Sequence, residues 1–159
     1  MNRLTRSHSA RTQRGSYAVE FSIVFLLVFT MLYAIVCYGI VFTLRFGLQN
    51  AAEDGARAAL RYQVNWEARK AEAIRVAQAQ IPLTLPVPPT VTAQRCQVLS
   101  TGASNCDTPN CGTTWDFRCQ VVVTVTATSM GSLLPPLPRF AVPDTIAGQA
   151  SMLLDGRSL

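Results

Sequence analysis

The feature that most constrains this chain is an uncharged run from Phe21 to Leu44, reading FSIVFLLVFTMLYAIVCYGIVFTL. Its twenty-four residues, at about 1.5 Å of helical rise each, are long enough to cross a hydrocarbon core of ~30 Å. The run therefore reads as a transmembrane helix. A cleaved secretory signal has an apolar stretch of roughly 7 to 15 residues closed by small residues, and this run is longer and lacks them. The segment is expected to stay in the mature protein. Composition agrees: of 159 residues, 49% are hydrophobic and 14% charged, against roughly 25% charged in soluble globular domains.

The net charge of +5 is concentrated rather than spread. Arg3, Arg6, Arg11 and Arg14 precede the apolar run with no acidic residue among them. Without these four, ten Lys/Arg stand against nine Asp/Glu, a balance of +1. Such a remainder gives no basic face of the kind that tracks phosphates, so no nucleic-acid partner is expected. After the run, Arg45 and Arg57 are accompanied by Glu53 and Asp54. The asymmetry of positive charge predicts a cytoplasmic N-terminus and an extracytoplasmic C-terminal portion.

Cysteine placement fits that orientation. Cys96, Cys106, Cys111 and Cys119 lie within a short window of the C-terminal half, an even local count suited to disulfides in an oxidising compartment. Zinc sites need closely paired thiolates; here the gaps are nine, four and seven residues, and no metal or other cofactor is expected. Cys37, inside the apolar run, reads as a small hydrophobe. The anomaly is Glu20, a carboxylate at the edge of the span. A carboxylate costs roughly 2.5 to 3.5 kcal/mol at a membrane centre and little at headgroup depth, so Glu20 is either a functional residue or an interfacial one.

Gly15 followed by Ser16, with Glu20-Phe21 ahead of a long apolar helix and a basic segment before it, resembles the processing pattern of the TadE-like minor pilins, or pseudopilins, of tight-adherence (Flp, type IVb-like) pilus systems. The resemblance continues in Leu48-Gln49-Asn50-Ala51-Ala52-Glu53-Asp54-Gly55-Ala56-Arg57-Ala58-Ala59, which is similar to the family stretch LQNAAREGARAA. One departure is Asp54, where the family often has glutamate. The two matches cover residues 14–60. The resemblance implies cleavage between Gly15 and Ser16 by a membrane-embedded aspartic prepilin peptidase, with residues 1–15 as a basic cytoplasmic leader. Loss of the leader deletes four positive charges, which eases extraction of the helix. The resemblance also implies that the new Ser16 amine, with an ordinary pKa near 7.7 to 8.0, is cationic and pairs with Glu20 of an adjacent helix. Other pilins and pilus-assembly components are the implied partners.

Beyond Leu44, Leu48, Ala52, Gly55, Ala59, Tyr62 and Trp66 recur at steps of four and three, one face of a helix. Ala52, Gly55 and Ala59 make that face small, suited to close packing either on another helix or on the protein's own globular part. Asn65 reads as an N-cap for a second helix reaching Gln80, the alternative being one uninterrupted helix from Ser16. Glu72 stands three residues from both Arg69 and Arg75. The prolines of segment 81–89 cannot continue a helix. Thr90 to Leu99 and Arg118 to Thr128 have strand character, with Cys119, Val121, Val123, Val125 and Ala127 on one face of the second. The turn-rich loop between them needs a fastening. Four cysteines allow three connectivities; nested bridges Cys96 to Cys119 and Cys106 to Cys111 suit a hairpin. After a second proline-rich stretch, Thr145 to Leu154 fits a final strand better than a short helix.

The expected architecture is α+β and pilin-like: a long N-terminal transmembrane and amphipathic helix followed by a small disulfide-stabilised antiparallel sheet. Its parts are the leader 1–15, a transmembrane helix 16–44, an amphipathic helical region 45–80 and an exported β-rich domain 81–159. Enzymatic motifs are missing from the sequence. The exported part has Asp107, Asp116, Asp144 and Asp155 but no histidine, no G-x-S-x-G elbow and no phosphate-binding glycine loop. Loop aspartates form turns in most settings, and Trp115 and Phe117 read as packing beneath the loop. We expect neither enzymatic activity nor a small-molecule substrate. Two functions follow: a processed minor pilin supporting pilus assembly, adhesion or secretion, or a permanently anchored single-pass scaffold with a periplasmic domain. Both place the protein in a bacterial inner membrane, and the first allows pilus association after processing.

Overall fold

The computed structural model describes residues 14–61, 63–81, 87–129 and 143–156. In chain order these form α1 (Arg14–Ala58), α2 (Trp66–Ala79), β1 (Thr90–Val98), β2 (Ser104–Asn105), a 3-10 turn (Trp115–Phe117), β3 (Cys119–Thr128) and β4 (Thr145–Leu153). The fold is α+β, as expected. Its contacts divide the chain into residues 1–39 and 40–159, taken in turn.

In the first unit, the described residues are helical from Arg14 onward. Bulky apolar side chains project from it on all sides: Phe21 is 70% exposed and Leu27 63%. Stacked rings of Phe21, Phe25, Phe29 and Tyr33, with centroids 6.0 to 6.4 Å apart, form a stripe at four-residue spacing. Two hydroxyls inside the run need no outside partner. Ser22 donates to the Ala18 carbonyl and Thr30 to the Leu26 carbonyl, each at 2.7 Å, which satisfies them within the helix as an apolar medium demands.

The second unit is a four-stranded antiparallel sheet of order β2-β1-β3-β4. Alternation in β3 sends Cys119, Val121, Val123, Val125 and Ala127 to one face, all buried, while Gln120, Val122, Thr124 and Thr126 face the other way. Register adds Val91 and Ala93 from β1 and Ile146 and Ala150 from β4 to the buried face. This face is covered by the C-terminal turns of α1, through Leu48, Ala51, Ala52, Ala56 and Ala59, and by Ala73 and Ala77 of α2. Valines on the sheet thus meet alanines on the helices, so the backbones come close together.

Two glycines show how close. A Cβ on Gly55 would stand 2.8 Å from the Ala77 Cβ and 2.9 Å from the Ala73 carbonyl oxygen. One on Gly148 would stand 2.5 Å from the backbone carbon and oxygen of Leu48. Hydrogen alone fits at either place.

α1 ends in a tightened turn, with Leu60 N–H donating to the Arg57 carbonyl at 3.1 Å and Arg61 N–H to that of Ala58 at 3.2 Å. The Arg69 guanidinium, 4% exposed, donates to the Ala59 carbonyl at 2.7 Å, bringing a cation to the carbonyl-rich helix terminus. α2 begins where expected: Asn65 is extended, and its Oδ1 accepts from Ala68 N–H at 2.9 Å. The helical region is therefore broken in two. Tyr62 lies outside the described residues, as do residues 1–13 of the leader 1–15 and most of both proline-rich stretches.

The expected disulfide pairing is corrected. Cys96 is bonded to Cys106 and Cys111 to Cys119, not Cys96 to Cys119 and Cys106 to Cys111. Register explains why. Cys96 lies opposite Gln120 and Cys119 opposite Gln97, an offset of one residue that sends the two cysteines to opposite faces of the sheet, and side chains diverging in that way cannot bridge. Each strand cysteine instead fastens the connecting loop from its own side.

Candidate functional site

The residues singled out for processing, Gly15, Ser16, Glu20 and Phe21, all belong to the first two turns of α1. Ser16 and Glu20 are four residues apart in the same helix. Glu20 is exposed, and Phe21 begins the aromatic stripe. The helix they open is long and apolar enough to cross a membrane, and its exposed side chains suit a lipid medium.

Ala52, Gly55 and Ala59 form a second cluster, one that the chain covers itself. Ala52 and Ala59 are fully buried against the sheet and α2, and Gly55 faces Ala73, Ala77 and Val123. Of the two packing partners open to this face in the sequence, its own globular part occupies it. No third cluster resembles a metal centre: among the described residues no group of three His, Cys, Asp or Glu side chains is placed to hold an ion.

Several residues that matter to the geometry carry no special mark in the sequence. Gln49 is the clearest. Its Nε2 donates to the Gln149 carbonyl at 3.0 Å and its Oε1 accepts from Gln149 N–H at 3.2 Å, so its amide pairs with the open edge of β4 as a strand residue would. Gln49 falls inside the LQN stretch, but a partner one hundred residues away cannot be read from that stretch. Arg69 is another: of the two arginines flanking Glu72, only Arg75 pairs with it, through contacts of 2.7 and 2.8 Å. That hydrogen-bonded guanidinium holds the Glu72 carboxyl below the usual carboxylate range, with partial desolvation opposing it and the charge of Arg61 adding to it. On the far side of α2, the Arg95 guanidinium lies 5.3 Å from the Trp66 ring centroid, joining the start of α2 to β1.

Taken together, a small disulfide-bonded α+β domain and one apolar helix among the described residues suggest a single-pass membrane protein. Residues 15–57 match the family model described as TadE-like protein, which is the segment that the Gly15-to-Glu20 pattern and the Leu48-to-Arg57 stretch already singled out. The match runs from the second residue of α1 to its penultimate one, so what is TadE-like here is one helix, roughly a quarter of the chain. That family suggests a Tad pilus-associated protein with a membrane helix. No curated protein and no solved structure matches the chain.

Proposed function

We propose that the protein is a minor pilin or pseudopilin of a Tad (Flp) pilus system, cut between Gly15 and Ser16 by a prepilin peptidase. It acts as a substrate and a structural subunit, not as an enzyme. The observation that carries this reading is the start of the TadE-like match at Gly15, five residues before the carboxylate of Glu20. In this reading the N-terminus is cytoplasmic, the helix spans the inner membrane once, and the chain beyond Leu44 is exported.

The chemistry is consistent at each step. Gly15 presents an unhindered backbone at the scissile bond and costs little to unwind from a first helical turn whose N–H groups lack intrahelical partners. Cleavage there removes the four leader arginines, lowering the electrostatic cost of drawing the helix out of the membrane. It also creates a Ser16 amine whose charge complements Glu20 of a neighbouring subunit in an assembly. The oxidising compartment implied by the two disulfides suits export of the domain.

Exchanging Glu20 for Gln removes the charge and keeps the shape. The variant is expected to insert and fold as the parent does, judged by membrane fractionation and disulfide content, but to lose processing or incorporation into pili. Normal processing together with normal pili in Glu20→Gln would refute the role given to this carboxylate.

A further inference from the structure

The loop from Ser100 to Phe117 ends in an aromatic side chain whose placement neither the membrane helix nor the core explains. Trp115 is 72% exposed although it opens the short 3-10 turn that leads into β3. Its mounting is rigid. Gly112 N–H donates to the Phe117 carbonyl at 2.9 Å, and Arg118 N–H to that of Trp115 at 3.4 Å. The Gln97 side chain ties the turn to the loop, donating to the Asp116 carbonyl at 3.3 Å and accepting from Asn110 N–H at 3.1 Å. Cys111 is bonded to Cys119 at the root of β3.

The indole is also set in orientation. The Arg118 guanidinium lies 4.0 Å from its ring centroid and donates to the Trp115 carbonyl at 3.3 Å. One face of the ring is thus covered by a cation and the opposite face is left to solvent. An exposed tryptophan costs solvation free energy, and a fixed one has already lost the rotamer freedom that binding would otherwise remove.

The surroundings select the ligand. From Ser100 to Phe117 the loop contains no Lys or Arg, and Arg118 is engaged with the indole, so phosphate backbones and anionic lipid surfaces find no complementary charge. A protein partner of ordinary affinity is met by a patch whose centre is apolar and continuous, whereas around Trp115 the one other apolar side chain of the turn is Phe117, 42% exposed, and the rest are the exposed polar residues Thr113, Thr114 and Asp116, with Asn110 tied to the turn through Gln97. Short hydroxyl, amide and carboxylate groups around one open aromatic face match a neutral sugar. The C–H groups on one side of a pyranose ring carry partial positive charge and stack on the negative face of an indole, and its hydroxyls both donate and accept. We propose that the Trp115 turn is a binding site for a neutral oligosaccharide, with the open indole face as the platform and Thr113, Thr114, Asn110 and Asp116 as hydrogen-bonding neighbours. This site would give the exported domain an adhesive contact of its own, and it is independent of cleavage at Gly15.

The test uses the full chain in lipid nanodiscs, since sugar-headed detergents would compete. Linear trisaccharides of glucose, of galactose and of N-acetylglucosamine are the probes, read by saturation-transfer NMR on the sugar ring protons and by indole emission. At least one is expected to bind saturably and to shift the emission. Trp115→Ala is expected to weaken that binding at least about tenfold, the scale of a single dominant contact, and Trp115→Phe by less, with both disulfides retained. Failure of all three sugars to bind at concentrations up to ~10 mM, beyond the weak end of measurable specific association, would overturn the proposal. So would equal binding by Trp115→Ala, or a protein partner that requires Trp115 in the absence of any sugar binding.

Discussion

The two units of this chain use apolar residues in opposite ways. From Tyr17 to Val36 the large side chains, Phe, Leu, Ile and Val, stand exposed at 52 to 70%. From Ala51 to Ala58, past the single buried Leu48, the same helix carries alanine and glycine, and these are the buried ones. Size therefore runs against burial. Large apolar groups are placed where the surrounding medium must supply the contacts, and small ones where two backbones must approach. What distinguishes a membrane-facing stretch from a core-facing stretch of one helix is volume per residue as much as hydrophobicity.

That contrast can be broken by putting the same charge into each region. Val123→Asp buries a carboxylate at a position with no exposure, between α1 and β3. It is expected to unfold the domain outright, because a buried carboxylate without a partner costs several kcal/mol or more, and free thiols and lost near-ultraviolet dichroism would report it. Val28→Asp, at a position 52% exposed on the apolar helix, should leave the domain folded and its disulfides formed. Its effect is on insertion, about 2.5 to 3.5 kcal/mol for a charge deep in a membrane, seen as a soluble or misrouted fraction. Equal damage to the domain by both would contradict the division.

The close-approach half of the contrast is sharpened by adding single methyl groups. Gly148→Ala meets the backbone of Leu48, which cannot turn aside, and is expected to destabilise the domain by about 1 to 3 kcal/mol in urea melts of the full chain in micelles. Gly39→Ala is the control: nothing lies within 4 Å of a Cβ there, so stability should hold. The smallest effect belongs to Gln49→Leu, which removes two hydrogen bonds at an exposed strand edge where water replaces the lost partner, about 0.5 to 1 kcal/mol for the pair. Its clearest readout is faster hydrogen exchange at the Gln149 amide.

Much of this was legible in the sequence because it rests on local periodicity. The alternation from Cys119 to Ala127, the steps from Leu48 to Ala59 and the N-cap at Asn65 each declare an element and its buried face. The strand from Thr145 also appears where expected, ending at Leu153. Other features depend on what lies opposite. Cysteine pairing turned on a register offset of one residue between Cys96 and Cys119, which spacing alone does not encode. Gly148 became a contact point only once Leu48 lay across it, and Gln49 found its partner a hundred residues away. Long loops often fold over their aromatics, which makes Trp115 read as packing; it projects instead because the turn beneath it is closed by main-chain bonds and a disulfide. The helix pattern around Gly15 and Glu20 was legible through resemblance, and the family match spans the same helix.

The central claim, that this membrane helix is a processed pilin-like segment, is tested most directly by the N-terminal sequence and intact mass of the membrane-isolated protein, with and without a co-expressed prepilin peptidase. The account predicts a chain beginning at Ser16 only when the peptidase is present, lighter by the mass of residues 1–15. A chain that keeps Met1 under both conditions would contradict it and leave the helix as the permanent anchor of a scaffold protein.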